Sequence, residues 1–284
     1  MRSIRLALAG ALSVSALSLA AIASNAGATT TLKGCSTATY KTAGKLTVGT
    51  DNPVWEPWFS NNTPTNKKGY ESAFTYALAK KIGISDANVN WVTVPFDSSY
   101  APGPKSFDFD INEISYTADR AKIVDFSSSY YDVQQSVIVL KTSRYASATK
   151  LSQLKSAKFG DQVGTTGMTY ITRYIKPNSA PRAYNTLDLA VAALQTHQVD
   201  AIVVDTPTGN YMVNYQITTQ DGTSLAKQIG QFKSVGEHYG LVFQKNSKLE
   251  TCVNSAIASL RADGTLKRLS TAWLKDYTSV PLFK

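Results

Sequence analysis

Residues 107–126 read FDFDINEISYTADRAKIVDF. Phe107, Phe109 and Ile111 alternate with Asp108, Asp110 and Asn112, the period-2 signature of a β-strand that turns one apolar face to a core. On the same parity the chain continues with Glu113, Ser115 and Thr117, so the apolar side becomes a row of hydrogen-bonding groups as a strand over 107–115 ends. Thr117 is placed to cap a short turn, Ala118-Asp119-Arg120, that swings the Arg120 guanidinium back over Ser115. In open α/β sheets ligands sit beyond the carboxyl ends of strands, and a planar five-donor cation beside hydroxyls there suits a carboxylate or a phosphate. Arg120 is therefore a candidate grip for a carboxylate. Taken alone, Thr-x-x-Arg is equally the spelling of a helix start with a surface arginine.

Outward from this stretch the chain alternates strand and helix. Strands are expected over 45–51 and 90–95, with a helix over 71–82 that puts Phe74, Leu78 and Ile82 on one face. The apolar run SVIVLK (136–141) opens a second series. It continues with KFGDQVG (158–164), helices near 168–175 and 187–195, the strand AIVVD (201–205), then GLVFQK (240–245) and long helices over 249–274. This rhythm implies an α/β protein with mostly parallel sheets flanked by helices.

Residues 1–28, MRSIRLALAGALSVSALSLAAIASNAGA, carry Arg2 and Arg5, an apolar run and the small-residue ending Ala26-Gly27-Ala28, which reads as a secretory signal. The alternative, a retained membrane anchor, is disfavoured by the serines and glycine that dilute the run over 6–22. No later stretch approaches the length of a membrane span. Removal of the signal takes the net charge from +9 to +7, spread thinly with no Lys/Arg block. That is a solvated surface rather than a nucleic-acid footprint, so no nucleic-acid partner is expected. The roughly 250 residues that follow suit one large domain or two lobes. Cys35 and Cys252 are the two cysteines, and in an exported chain a pair is most simply a disulfide. Lipidation of Cys35 is the alternative; Lys33 fits a processing site poorly, and Thr29 to Thr31 separate Cys35 from the apolar run.

From Gly44 to its end the chain resembles the extracytoplasmic amino-acid-binding proteins that feed ABC importers, the polar amino-acid type of solute-binding protein family 3. The resemblance rests on the pattern hydroxyl-x-Thr-x-x-Arg followed by Asp-Phe-Ser, here Ser115, Thr117, Arg120 and Asp125-Phe126-Ser127. It continues in order through GKLTVGTDNPVWEPWF, QVGTTG, VDAIVVDTP and LRADGTLKRLSTAWL.

The resemblance implies a two-lobed periplasmic binding protein fold of type II, with two crossover strands. Lobe one would take residues 40–130 and 239–284, and lobe two residues 132–237. It also implies site roles. Arg120 would hold a ligand carboxylate, helped by the loop Gly164-Thr165-Thr166-Gly167, whose backbone N–H groups precede a helix. Asp205, at the tip of AIVVD and before Thr206-Pro207, would take the ligand ammonium, although Asp-x-Pro is also a helix N-cap spelling. Asp51 would meet the far end of the ligand side chain. Trp55, Trp58 and Phe96 could wall the slot; Trp58 serves equally well as a lobe-core residue. Glu113 departs from the small or amide residue found in many relatives. With Asp51 and Asp205 it sets three carboxylates against one arginine, which motivates a preference for basic amino acids.

The expected partners are one small amino acid and the membrane permease of an ABC importer, and a monomer is expected, exported to the cell surface or periplasm. No metal or cofactor is expected. His197 and His238 are isolated, and no HExxH or GxSxG pattern occurs. Two rivals are an enzyme of the cyclohexadienyl dehydratase type on the same fold, with Glu113 as an acid, and a sensor component that presents its ligand to a separate receptor.

Overall fold

β1 (Leu46–Thr50) is buried at every position because strands pair parallel along both of its edges, β2 (Val89–Thr93) on one side and β3 (Phe109–Asp110) on the other. The structure is a computed structural model and describes residues 32–284; the expected signal over 1–28 lies outside the described residues. The crossover from β1 to β2 runs through α1 (Tyr70–Lys81), whose Tyr70, Phe74 and Leu78 recur every fourth residue and are fully buried. Single turns α2 (Phe96–Ser99) and α3 (Ala118–Ala121) follow β2 and β3 in the chain. β4 (Asp125–Phe126) and β12 (Val242–Phe243) complete a five-stranded sheet of order β2-β1-β3-β12-β4, in which β12 runs antiparallel to its neighbours.

A second set of strands follows β5 (Tyr131–Asp132), which pairs antiparallel with β11 (His238–Tyr239) where the chain returns. β6 (Gln135–Leu140) lies between β9 (Ala201–Asp205) and β10 (Ala226–Gln231), antiparallel to both. β7 (Gly160–Gln162) pairs parallel with β8 (Arg182–Tyr184), and Phe159 joins Ala201 in a parallel bridge. Val137, Val139, Ala201 and Val203 face one core with Phe159, Tyr170 and Phe232, while Ile138, Leu140, Ile202 and Val204 face another with Leu194, Met212 and Ile217. Two-sided burial is why SVIVL and AIVV are continuous apolar runs instead of alternating ones. Helix α4 (Thr166–Tyr170) continues as a π turn to Ile175, and α5 (Leu187–Gln195) and α6 (Thr206–Tyr211) complete this half. α7 (Glu250–Ala262) and α8 (Thr265–Trp273) return to the first core.

The α/β class and the two-lobed plan stand, with three local differences from the sequence reading. Pairing is mixed rather than mostly parallel, because β6, β9 and β10 form an antiparallel set and β12 enters the first sheet in reverse. The strand expected over 107–115 shrinks to Phe109–Asp110: Glu113 takes a positive φ of 54°, and Ser115 meets Tyr239 in an isolated bridge. Its polar parity is not solvated, since Asp108, Asp110 and Asn112 are buried like Phe107, Phe109 and Ile111. Asp108 illustrates how a buried acid is satisfied here, by accepting from the Lys41 and Thr47 backbone N–H groups at 2.6 Å each. Gly264, at a φ of 75°, divides the expected 249–274 segment into α7 and α8.

Cys35 and Cys252 form a disulfide with Cα atoms 4.5 Å apart, which sets aside lipidation of Cys35. Gly34 beside it has a φ of 82°, and a Cβ there would come within 2.8 Å of the Thr251 side chain, so only glycine lets the N-terminal lead lie this close on α7. Ser255 fixes the same contact by donating from its Oγ to the Lys33 carbonyl at 3.0 Å.

Candidate functional site

The carboxyl ends of β1, β3 and β9 and the loop after β7 converge on one cleft, about 740 Å³ of space when the solvent at its opening is counted with it. Asp51, Trp55, Phe96, Glu113, Ser115, Arg120, Thr165, Thr166 and Asp205 all line it. Trp58 does not. Its ring is fully buried against Tyr70, Tyr131 and Tyr239 in edge-on contacts at 5.3–6.0 Å, the lobe-core alternative raised by the sequence. Trp55 and Trp58 are joined by one turn of chain, in which the Trp58 backbone N–H donates to the Trp55 carbonyl at 3.1 Å; Trp55 lines the cleft while Trp58 is fully buried.

Arg120 is positioned from its own helix start. Thr117 caps α3 by accepting the Arg120 backbone N–H at 3.1 Å, and the guanidinium then folds back so that Nη1 donates to the Ser115 carbonyl at 2.7 Å. Nη2 reaches across the cleft to the Gly164 carbonyl at 2.8 Å, and the planar group stacks 4.3 Å from the centre of the Tyr100 ring. These bonds use two of the five N–H donors of a guanidinium. The glycines of the facing loop have separate reasons. Gly164 has a φ of 78°, whereas a Cβ on Gly167 would sit 2.2 Å from the Val203 carbonyl oxygen. Between them Thr165 caps α4, and Thr166 accepts from Gln135 Nε2 at 3.2 Å.

Asp205 ends β9, where Gln135 Nε2 donates to its Oδ1. Burial, with the Glu237 charge adding to it, pushes the Asp205 carboxyl up to about 8, and Gln135 and Arg120 pull the other way. Glu113 enters from the opposite side, its Oε2 accepting from Thr208 Oγ1 at 2.7 Å. Burial, then Glu71 and Asp205, hold Glu113 well above the usual carboxylate range. Glu71 of α1 lies behind it and accepts the Glu113 backbone N–H at 2.8 Å and the Tyr130 hydroxyl. Burial pushes Glu71 up to about 7.

The cleft includes residues that sequence reasoning passed over. Asp161 is 1 % exposed, and its Oδ2 is buried without a partner among the described residues; an acid inside the apolar strand KFGDQVG was the available signal. Gln135, a polar residue opening an apolar strand, and Thr208, one turn past Asp205, were similarly marked. Glu237, which carried no such mark, does not line the cleft but stands behind it, accepting from Ser115 Oγ at 2.6 Å and from Gln135 at 3.2 Å. The acids lining the cleft are thus Asp51, Glu113, Asp161 and Asp205, against the single cation Arg120. Neither histidine lines it, and no His/Cys/Asp/Glu cluster among the described residues has the spacing of a metal site.

The raised acids have a consequence for stability. Folded, Glu71 and Asp205 hold protons at pH values where their ordinary values of 4.5 and 3.8 would leave them ionised. Folding therefore takes up protons, and this contribution is complete below about pH 4 and is lost as the pH rises through about 7 for Glu71 and about 8 for Asp205. The expected result is a melting temperature that falls from about pH 5 to about pH 8, with a shallower fall in Glu71→Gln. Melts across that window test it, and a steepened fall in the variant contradicts it.

The sequence profile of the bacterial extracellular solute-binding proteins, family 3, matches residues 46–276. ABC transporter arginine-binding protein 1 of Escherichia coli (strain K12) is 25 % identical over 235 residues, 81 % of this chain and 91 % of that protein. An L-cystine-binding protein of the same strain is 26 % identical over 235 residues, 82 % of this chain and 84 % of its own. Among solved structures, an ancestral arginine-binding protein bound to arginine superposes with a TM-score of 0.66 at 27 % identity, covering 81 % of this chain and 98 % of that one. No helix among the described residues is long and apolar enough to cross a membrane. With the profile matched from the first strand of one lobe to the turn after α8, the chain belongs to the bacterial extracellular solute-binding proteins, family 3.

Proposed function

We propose that the protein captures one amino acid in the cleft and delivers it to the permease of an ABC importer, acting as a binding protein and not as an enzyme. The observation that carries this reading is the meeting of Arg120 and Asp205, from facing halves, in one cavity. A guanidinium with donors to spare suits the ligand carboxylate, and a buried carboxylate suits its ammonium. Charge-assisted hydrogen bonds contribute about 1.5–3 kcal/mol each. Micromolar affinity requires about 8 kcal/mol, so two clamped charges with burial against Trp55 and Phe96 suffice.

The ligand is a basic amino acid. Four acids line the cleft against one arginine; burial holds protons on Glu113, Asp161 and Asp205, and a ligand bringing a second cation draws these acids into the ionised state further than a neutral zwitterion does. Asp51, at the mouth beside Trp55, is the acid for the distal charge. In this reading residues 40–130 with 239–284 form one lobe and 132–237 the other, and β5 and β11 bend as the cleft closes. Residues 1–28 direct export, and the mature protein works as a monomer outside the cytoplasm. A thermal-shift screen over the amino acids tests the function: arginine, lysine or ornithine should raise the melting temperature most. Stabilisation by acidic or small neutral amino acids alone would overturn the basic preference, and no stabilisation by any would overturn the function.

A further inference from the structure

We infer that Thr208 is an interlobe latch: its hydroxyl accepts the indole N–H of Trp58 and donates to Glu113, so one oxygen of the second lobe is bonded twice to the first. The inference rests on the binding reading for its effect on ligand affinity, but the latch itself is a property of the two lobes. Trp58 Nε1 lies 2.8 Å from Thr208 Oγ1, and Thr208 Oγ1 lies 2.7 Å from Glu113 Oε2. Indole N–H only donates, so Thr208 Oγ1 accepts there and its own O–H is left to donate to Glu113 Oε2; a hydroxyl does both at once.

Both arms on the first lobe are fixed. Trp58 is fully buried, and its ring is held by Tyr70, Tyr131 and Tyr239, the last two belonging to the crossover strands β5 and β11. Glu113 is fixed by its left-handed backbone and by the bond from its N–H to Glu71 Oε1. Thr208 is 5 % exposed and stands on α6 three residues beyond Asp205, so it moves with the proposed ammonium acceptor. Neither arm can follow Thr208 outward, and opening the cleft breaks both bonds together. Trp58 thereby influences ligand retention without lining the cleft, which gives this buried tryptophan a role that the lobe core alone does not require.

The test joins a distance to a rate. Spin labels at K80C on α1 and K158C before β7, both exposed positions, report the separation of the lobes by pulsed dipolar spectroscopy, and stopped flow reports dissociation of the amino acid that the screen ranks first. Thr208→Val should shift the distances outward and speed dissociation about tenfold, the scale on which buried hydrogen bonds contribute. Thr208→Ser should restore both readouts. Trp58→Phe keeps a ring but removes the N–H, so it should reproduce the outward shift, and adding Thr208→Val to it should cost less than Thr208→Val costs alone. Wild-type distances and dissociation in Thr208→Val would overturn the latch, as would a Thr208→Ser variant as open as the valine. If the wild type binds no amino acid, the functional reading fails while the distances still decide the latch.

Discussion

Arg120→Ala is expected to weaken amino-acid binding by about 2–5 kcal/mol, because it leaves a desolvated ligand carboxylate without its partner. The side chain is only 7 % exposed, so water cannot readily replace the guanidinium. The substitution also removes the bond to the Gly164 carbonyl and the stacking on Tyr100, which tie Arg120 to the facing loop and to its own lobe. Arg120→Lys keeps the charge but loses the planar fork, and should fall between wild type and alanine. Calorimetric titration measures both, and an alanine variant with wild-type affinity would remove Arg120 from the site.

The second large effect concerns folding. The Cys35–Cys252 bridge spans 217 residues of sequence, and closing a loop of that size removes about 5 kcal/mol of chain entropy from the unfolded state, near the top of the measured range. Cys252 is fully buried on α7, where its neighbours Val253 and Ala256 pack in the first core, so cutting the bridge also frees the lead that Gly34 and Ser255 hold in place. The Cys35→Ala/Cys252→Ala protein should lose about 3–5 kcal/mol, and its melting temperature should drop by about 10 °C or more. A change under about 1 kcal/mol would mean that the packing of the lead, rather than the covalent link, holds this end.

Elements with local signatures were legible in the sequence. Phe74 and Leu78 marked the buried face of α1, and the unbroken apolar letters of AIVVD announced a strand covered on both sides, ending in an acid at the sheet edge. The glycines around Thr165-Thr166 marked a turn that the folded chain needs for a left-handed residue and a close approach to β9. What escaped depends on pairing across long stretches of chain. The direction of β12 and the antiparallel set around β6 follow from where the chain returns, which no window of residues records. Asp108 reads as a solvent-facing residue until the Lys41 and Thr47 amides, over 60 residues away, arrive to bind it. Trp58 and Trp55 look interchangeable until Tyr131 and Tyr239, far along the chain, arrive to enclose one of the two rings. Glu237 joined the site only because β11 carries it back between Ser115 and Gln135. Asp161 could have been found: an acid in a buried strand must be paired, neutral or functional.

In the proposed capture Arg120 meets the carboxylate of an amino acid whose ammonium is taken by Asp205. This is tested most directly by titrating the best-binding amino acid and its decarboxylated amine into both wild type and Arg120→Ala. Loss of the ligand carboxylate should cost wild type heavily and the variant almost nothing, a coupling of at least about 1.5 kcal/mol. Equal losses in the two proteins would place the ligand carboxylate away from Arg120.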